Sequence, residues 1–125
     1  MEKKRKKFFY ILVIDDEVEI CKILEKCLSA GKHKVKTSSK CKEALEWIKK
    51  EYFDVVFLDI LMPGISGVEI LDEIKKVSPD TKIIMMTGKM IERDFIRKMK
   101  DRGAWGCIQK PFKLEEIDEI LISFI

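Results

Sequence analysis

The amino-acid sequence predicts an α/β fold, a five-stranded parallel sheet with helices on both faces. Two observations predict it. Five short apolar segments rich in β-branched residues alternate strictly with five amphipathic helical patterns, an order that calls for parallel strands joined by crossover helices. The run Val55-Val56-Phe57-Leu58 is continuously apolar and bounded by turn signals, as expected for a strand covered on both faces. At 125 residues, 46% apolar and 38% charged, the chain suits one soluble domain with a single real core.

The first strand, over Tyr10–Ile14, follows the basic run Lys3-Lys4-Arg5-Lys6-Lys7. The pair imitates a secretory leader, but Asp15-Asp16-Glu17 stand where a small-residue cleavage site belongs. The apolar run is also too short to span a bilayer. Residues 1–7 are therefore expected to form a solvated basic tail, with the domain over 8–125. Val18, Cys21, Ile23, Leu24, Cys27 and Leu28 give the first helix a broad apolar face, ended by Gly31. The second strand falls at 35–38, followed by a helix carrying Ala44, Leu45 and Ile48. The third strand, 55–58, precedes a helix with Val68, Leu71, Ile74 and Val77, closed by Pro79. The fourth strand, 83–86, precedes a helix with Ile91, Phe95, Ile96 and Met99, ended by Gly103. The fifth, Gly106–Gln109, leads to a last helix bearing Leu114, Ile117, Ile120, Leu121 and Phe124. No linker, repeat or low-complexity segment divides the chain, and no second domain is expected within it.

The net charge of +3 owes much to the basic run, and the near-balanced remainder gives no mandate for nucleic-acid binding. Cys21, Cys27, Cys41 and Cys107 form no C-x-x-C pair and have no histidine at metal-ligand spacing. They read as reduced packing thiols of a cytosolic protein. His33, between Lys32 and Lys34, reads as a solvated surface residue.

In a parallel sheet every strand's carboxyl end reaches the same edge, where open α/β folds place their ligands. There the sequence puts Asp15-Asp16 after the first strand, Asp59 after the third, Thr87 after the fourth and Lys110 after the fifth. Singly, each has an ordinary explanation: acids in a helix's first turn, or strand-end turn residues. Jointly they make three acids, a hydroxyl and an ammonium converge from four strands. Crowded carboxylates need a cation to stay ionised, and an all-oxygen donor set suits Mg²⁺ or Mn²⁺ rather than Zn²⁺. A metal, a lysine and a hydroxyl around one carboxylate suit phosphoryl transfer, with the deprotonated carboxylate attacking in line.

The motifs "ILVIDDE", "DVVFLDILMPGISG", "TKIIMMTG" and "CIQKPF" resemble the receiver domain of two-component response regulators, from Tyr10 to Phe124. The resemblance implies a doubly wound, flavodoxin-like sheet of order 2-1-3-4-5. It implies that Asp59 accepts a phosphoryl group from a sensor histidine kinase. Asp16 and Asp59 would hold Mg²⁺ directly, with Asp15 acting through water and the Leu61 backbone carbonyl adding an oxygen. Thr87 matches the switch hydroxyl, Lys110 the site cation, and Lys110–Pro111 a cis peptide. Met62-Pro63-Gly64 and Gly67 would shape the loop around the metal. Leu61 and Lys89 occupy positions that tune phosphoryl lifetime.

One departure is Cys107, where the family carries a switch aromatic. Altered coupling from Thr87 to the last helices is expected, with Trp105 supplying bulk nearby. "GAWGCIQKPF" also lacks the paired acids of one dimerising subfamily, so a monomer or weak dimer is expected. Ile122 and Ile125 lie off the last helix's stripe and mark an interface or the cut end of a longer protein. The implied role is a cytoplasmic phosphoacceptor that promotes its own phosphorylation and dephosphorylation rather than an enzyme. It would control a downstream output domain or protein, with no membrane or direct nucleic-acid contact. Two alternatives stand beside it. Cys107 would suit a phosphorylation-independent interaction module. An aspartate-based phosphohydrolase shares the chemistry, but it wants D-x-D after the first strand, where Asp15-Asp16 are adjacent.

Overall fold

The computed structural model describes residues 8–62, 66–88 and 92–125. In chain order the elements are β1 (Tyr10–Ile14), α1 (Val18–Ala30), β2 (Lys34–Ser38), α2 (Cys41–Lys50), β3 (Val55–Asp59), α3 (Gly67–Val77), β4 (Lys82–Thr87), α4 (Arg93–Asp101), β5 (Gly106–Gln109) and α5 (Leu114–Ile122). The strands form one sheet of order β2-β1-β3-β4-β5, parallel at every pairing. The chain winds one way from β1 to β2 and the other way from β3 onward, so a crevice opens at the carboxyl ends of β1 and β3.

Side chains alternate across the sheet and build two cores. Leu12, Ile14, Val56, Leu58, Ile83 and Met85 face α2 and α3, where Ala44, Ile48, Ile70, Leu71 and Ile74 cover them. Ile11, Val13, Val55, Phe57, Ile84 and Met86 face α1 and α5 and meet Leu24, Leu28, Ile117 and Leu121. Phe57, Leu58 and their neighbours in β3 are fully buried, each contributing about 1.5–3 kcal/mol of hydrophobic stabilisation. The central strand is thereby anchored on both faces, and its last residue, Asp59, is fixed in space.

The structure narrows several expected helix faces. In α1 only Cys21, Leu24 and Leu28 are buried, while Val18 and Ile23 are exposed, as are Val77 in α3 and Leu114 in α5. A helix laid on one sheet buries a single stripe, and residues at its margins or ends overhang the sheet. β2 and β4 begin one residue before their apolar runs, because Lys34 and Lys82 register with Tyr10 and Val55. Ladder bonds belong to the backbone and do not stop at a polar side chain. Asp59 and Thr87 are likewise the final residues of β3 and β4 rather than the first residues beyond them.

His33 departs from the expected solvated residue. It is half-buried, its ring stacks on Phe9 at 5.6 Å, and its Nδ1 accepts the Phe9 N–H at 3.0 Å. All four cysteines are free thiols. No helix among the described residues is long and apolar enough to cross a membrane. The basic run 3–7, Pro63, Gly64, Lys89 and Ile91 lie outside the described residues.

Candidate functional site

Asp15 leaves the end of β1 with its N–H bonded to the Ser38 carbonyl, which extends the ladder and fixes the residue in the crevice. Its side chain is completely buried. Oδ1 accepts the Glu17 N–H at 2.9 Å, and Oδ2 lies 2.6 Å from Lys110 Nζ. That approach is a buried ion pair, with Lys110 only 10% exposed.

Asp59 is nearly as deep. Its Oδ1 accepts the Leu61 N–H at 3.2 Å, and its Oδ2 stands 3.6 Å from Lys110 Nζ. Lys110 is positioned by its own backbone N–H, which donates to the Thr87 carbonyl at 2.7 Å just beyond the β4–β5 ladder. The Lys110–Pro111 peptide is cis. Thr87 is buried at the end of β4. The fourth charged group is Glu17, whose Oε1 sits 3.2 Å from Lys110 Nζ.

One ammonium therefore faces three carboxylates. The Asp59 pKa is pushed up to about 7, first by burial and then by the charge of Asp15. A hydrogen bond with the Asp16 carboxyl raises it further, while Lys110 and the Leu61 N–H pull the other way. Burial works against the charge of Lys110, but contact with Asp15, the charges of Asp15 and Asp59, and Glu17 together raise its pKa.

Carboxylate oxygens of Asp15, Glu17 and Asp59 lie within 4.8 Å of one another. Among the described residues these hard oxygen donors outnumber the one local cation, Lys110, and fit a hard divalent cation such as Mg²⁺. Asp16, expected to hold the metal directly, falls outside that trio and is exposed.

The loop after β3 is shaped by a close approach. A Cβ on Gly67 would lie 2.6 Å from Ile60 Cα and 2.9 Å from its carbonyl oxygen, and the Gly67 N–H donates to that carbonyl at 3.0 Å. Only glycine lets α3 begin against the chain leaving Asp59. Ser66 then caps α3 by accepting the Glu69 N–H at 3.2 Å.

The family model of the response regulator receiver domain matches residues 11–122. The chain belongs to the response regulator receiver domain family. Sporulation initiation phosphotransferase F of Bacillus subtilis is 30% identical over 115 residues, covering 92% of each chain. The probable transcriptional regulator ycf27 of Porphyra purpurea is 38% identical over all of this chain and 49% of its own length. The beryllofluoride-activated NtrC4 receiver domain superposes with a TM-score of 0.85 at 33% identity, covering 91% of this chain and 93% of that one. The chain spans 23–49% of the length of relatives named as transcriptional regulators. It is a receiver domain of the two-component response regulators, and nothing in the comparisons favours the phosphohydrolase or the phosphorylation-independent module.

In this receiver domain Cys107 is half-buried in β5, registers with Met85 and packs against the α2–α3 side of the core. Burial pushes its thiol pKa up, with the charge of Lys100 opposing. Trp105 does not fill the space beside it. The indole meets Phe124 edge-on at 5.0 Å, a residue on the opposite core.

Glu17 is the site residue that sequence reasoning left in an ordinary first turn. It is the N-cap of α1 with extended backbone (φ −81, ψ 104), yet its side chain caps no N–H. Its N–H is held by Asp15 Oδ1 at 2.9 Å, and its carboxylate lies with those of Asp15 and Asp59 in one oxygen cluster.

Proposed function

We propose that Asp59 is the phosphoacceptor of this receiver domain, with Lys110 and Thr87 completing the site. The observation that carries the reading is the buried Asp59 carboxylate with the Lys110 ammonium 3.6 Å from Oδ2. The donor is a phosphohistidine on a sensor histidine kinase. Asp59 attacks the phosphorus, a P–O bond forms, and the P–N bond breaks, leaving its electron pair on the imidazole, which takes up a proton. Lys110 offsets negative charge on the equatorial oxygens, and the Thr87 hydroxyl donates to one of them. Asp15, Asp16 and Asp59, with the Leu61 carbonyl, would hold Mg²⁺ or, in its place, Mn²⁺. The bound cation supplies further charge neutralisation and orientation.

The carboxylate needs no separate base, because cation binding favours its ionised form over the raised metal-free pKa. The domain acts as a phosphoacceptor that promotes its own phosphorylation and dephosphorylation rather than as a turnover enzyme. Phosphorylation draws Thr87 toward the phosphoryl group and biases the surface of α4, β5 and α5 by population shift. That surface addresses an output domain or partner protein, with Cys107 altering the coupling. A cytoplasmic monomer or weak dimer is the assembly expected.

The test is intact mass after incubation with acetyl phosphate. Gain of one phosphoryl group that needs Mg²⁺ and is lost in Asp59→Asn supports the assignment. The same gain in Asp59→Asn refutes it.

A further inference from the structure

The Lys110 ammonium faces three carboxylate oxygens that differ in kind. Asp15 Oδ2 at 2.6 Å is fully buried, so breaking that pair would strand a charge in the interior. Glu17 Oε1 at 3.2 Å belongs to a side chain that is 61% exposed, so that pair breaks into water at little cost. Asp59 Oδ2, where the chemistry occurs, is the farthest of the three at 3.6 Å. The ammonium is thus tethered on the deep side by one acid and drawn toward the mouth by another. Glu17 is free to do this because its side chain takes no part in capping α1, while its own N–H is held by Asp15 Oδ1 at 2.9 Å.

We propose that Glu17 is a positioning residue that draws Lys110 away from Asp59 and so restrains phosphoryl capture. The proposal rests on the phosphoacceptor reading of Asp59. An arriving phosphoryl oxygen displaces Glu17, not Asp15, from the ammonium. Glu17 forms no covalent bond and carries no proton in the step. Its hold on Lys110 sets how readily the cation turns to the reaction.

The rival role on the same geometry is that of a metal ligand, since Glu17 lies with Asp15 and Asp59 in one oxygen cluster. The two roles have opposite consequences. Losing a ligand weakens cation binding and slows phosphorylation, whereas losing a competitor for Lys110 speeds it.

The experiment follows phosphoryl gain by intact mass, with acetyl phosphate as donor and Mg²⁺ varied, for wild type, Glu17→Gln and Glu17→Asp. Glu17→Gln removes the charge at constant size. Glu17→Asp keeps the charge but shortens the reach to Lys110. The expected result is capture about two- to fivefold faster in Glu17→Gln, the range one exposed ion pair carries, at unchanged half-saturating Mg²⁺. Glu17→Asp should also be faster, because contact is lost while charge remains.

Slower capture or a higher Mg²⁺ requirement in Glu17→Gln overturns the proposal in favour of a metal ligand. Glu17→Asp matching wild type beside a fast Glu17→Gln overturns it in favour of simple repulsion of the anionic donor. Equal rates in all three proteins overturn it outright while leaving Asp59 as phosphoacceptor. No capture by wild type removes the phosphoacceptor reading, and this inference with it.

Discussion

Asparagine in place of Asp59 should stabilise the metal-free protein above neutral pH. The carboxyl is held at a pKa of about 7 against a reference of 3.8, a gap of about three units. At about 1.4 kcal/mol per unit, ionising Asp59 costs the native state up to about 4 kcal/mol more than it costs the unfolded chain. The site mouth is open to water at Glu17 and Leu61, and solvent screening there cuts the figure to about 2 kcal/mol. A raised carboxyl pKa means the favourable contribution is complete below about pH 4 and is lost as pH rises to about 7. Asp59→Asn has no such loss.

In thermal melts with chelator, the two proteins should coincide near pH 4, diverge up to pH 7 and run parallel above it. For a chain of this size about 2 kcal/mol corresponds to roughly 6–10 °C in melting temperature. Added Mg²⁺ should reverse the ranking at pH 8, since a ligand of the native state stabilises wild type by mass action. Asp59→Asn melting at or below wild type at pH 8 in chelator would refute the electrostatic reasoning.

Gly67→Ala should destabilise by about 3 kcal/mol, because the new Cβ meets backbone at 2.6 Å and backbone cannot give way as a side chain can. A urea midpoint unchanged from wild type would contradict the close approach. His33 should make stability fall as pH drops through about 6.5. Burial lowers its folded pKa, with Asp118 opposing, so the unfolded chain takes the proton first. Protonation would also cost Nδ1 its role as acceptor for the Phe9 N–H. His33→Asn should flatten that part of the pH profile, measured by urea midpoints between pH 5 and 7.5, and an unchanged profile would assign the drop elsewhere.

The β-α alternation and the apolar run ending in Asp59 made the parallel sheet legible before any coordinates, because strand and helix periods leave different patterns in sequence. The approach of Asp15, Asp59 and Lys110 is equally legible, since a parallel sheet sends every strand end to one edge. Three features were less so. The exposure of Val18 and Ile23 depends on how much of α1 the sheet covers, which hydropathy does not encode. His33 became half-buried through stacking on Phe9, a contact between residues 24 positions apart. Glu17 reads as one acid among three in the sequence, because its approach to Lys110 joins residues 93 positions apart.

The most direct measurement traps the acyl phosphate. Borohydride reduces an aspartyl phosphate to homoserine, so peptide mass spectrometry after treatment with acetyl phosphate and Mg²⁺ reports the acceptor residue itself. The account predicts homoserine at position 59, dependent on Mg²⁺. Homoserine at 15 or 16, or at no position, would contradict it.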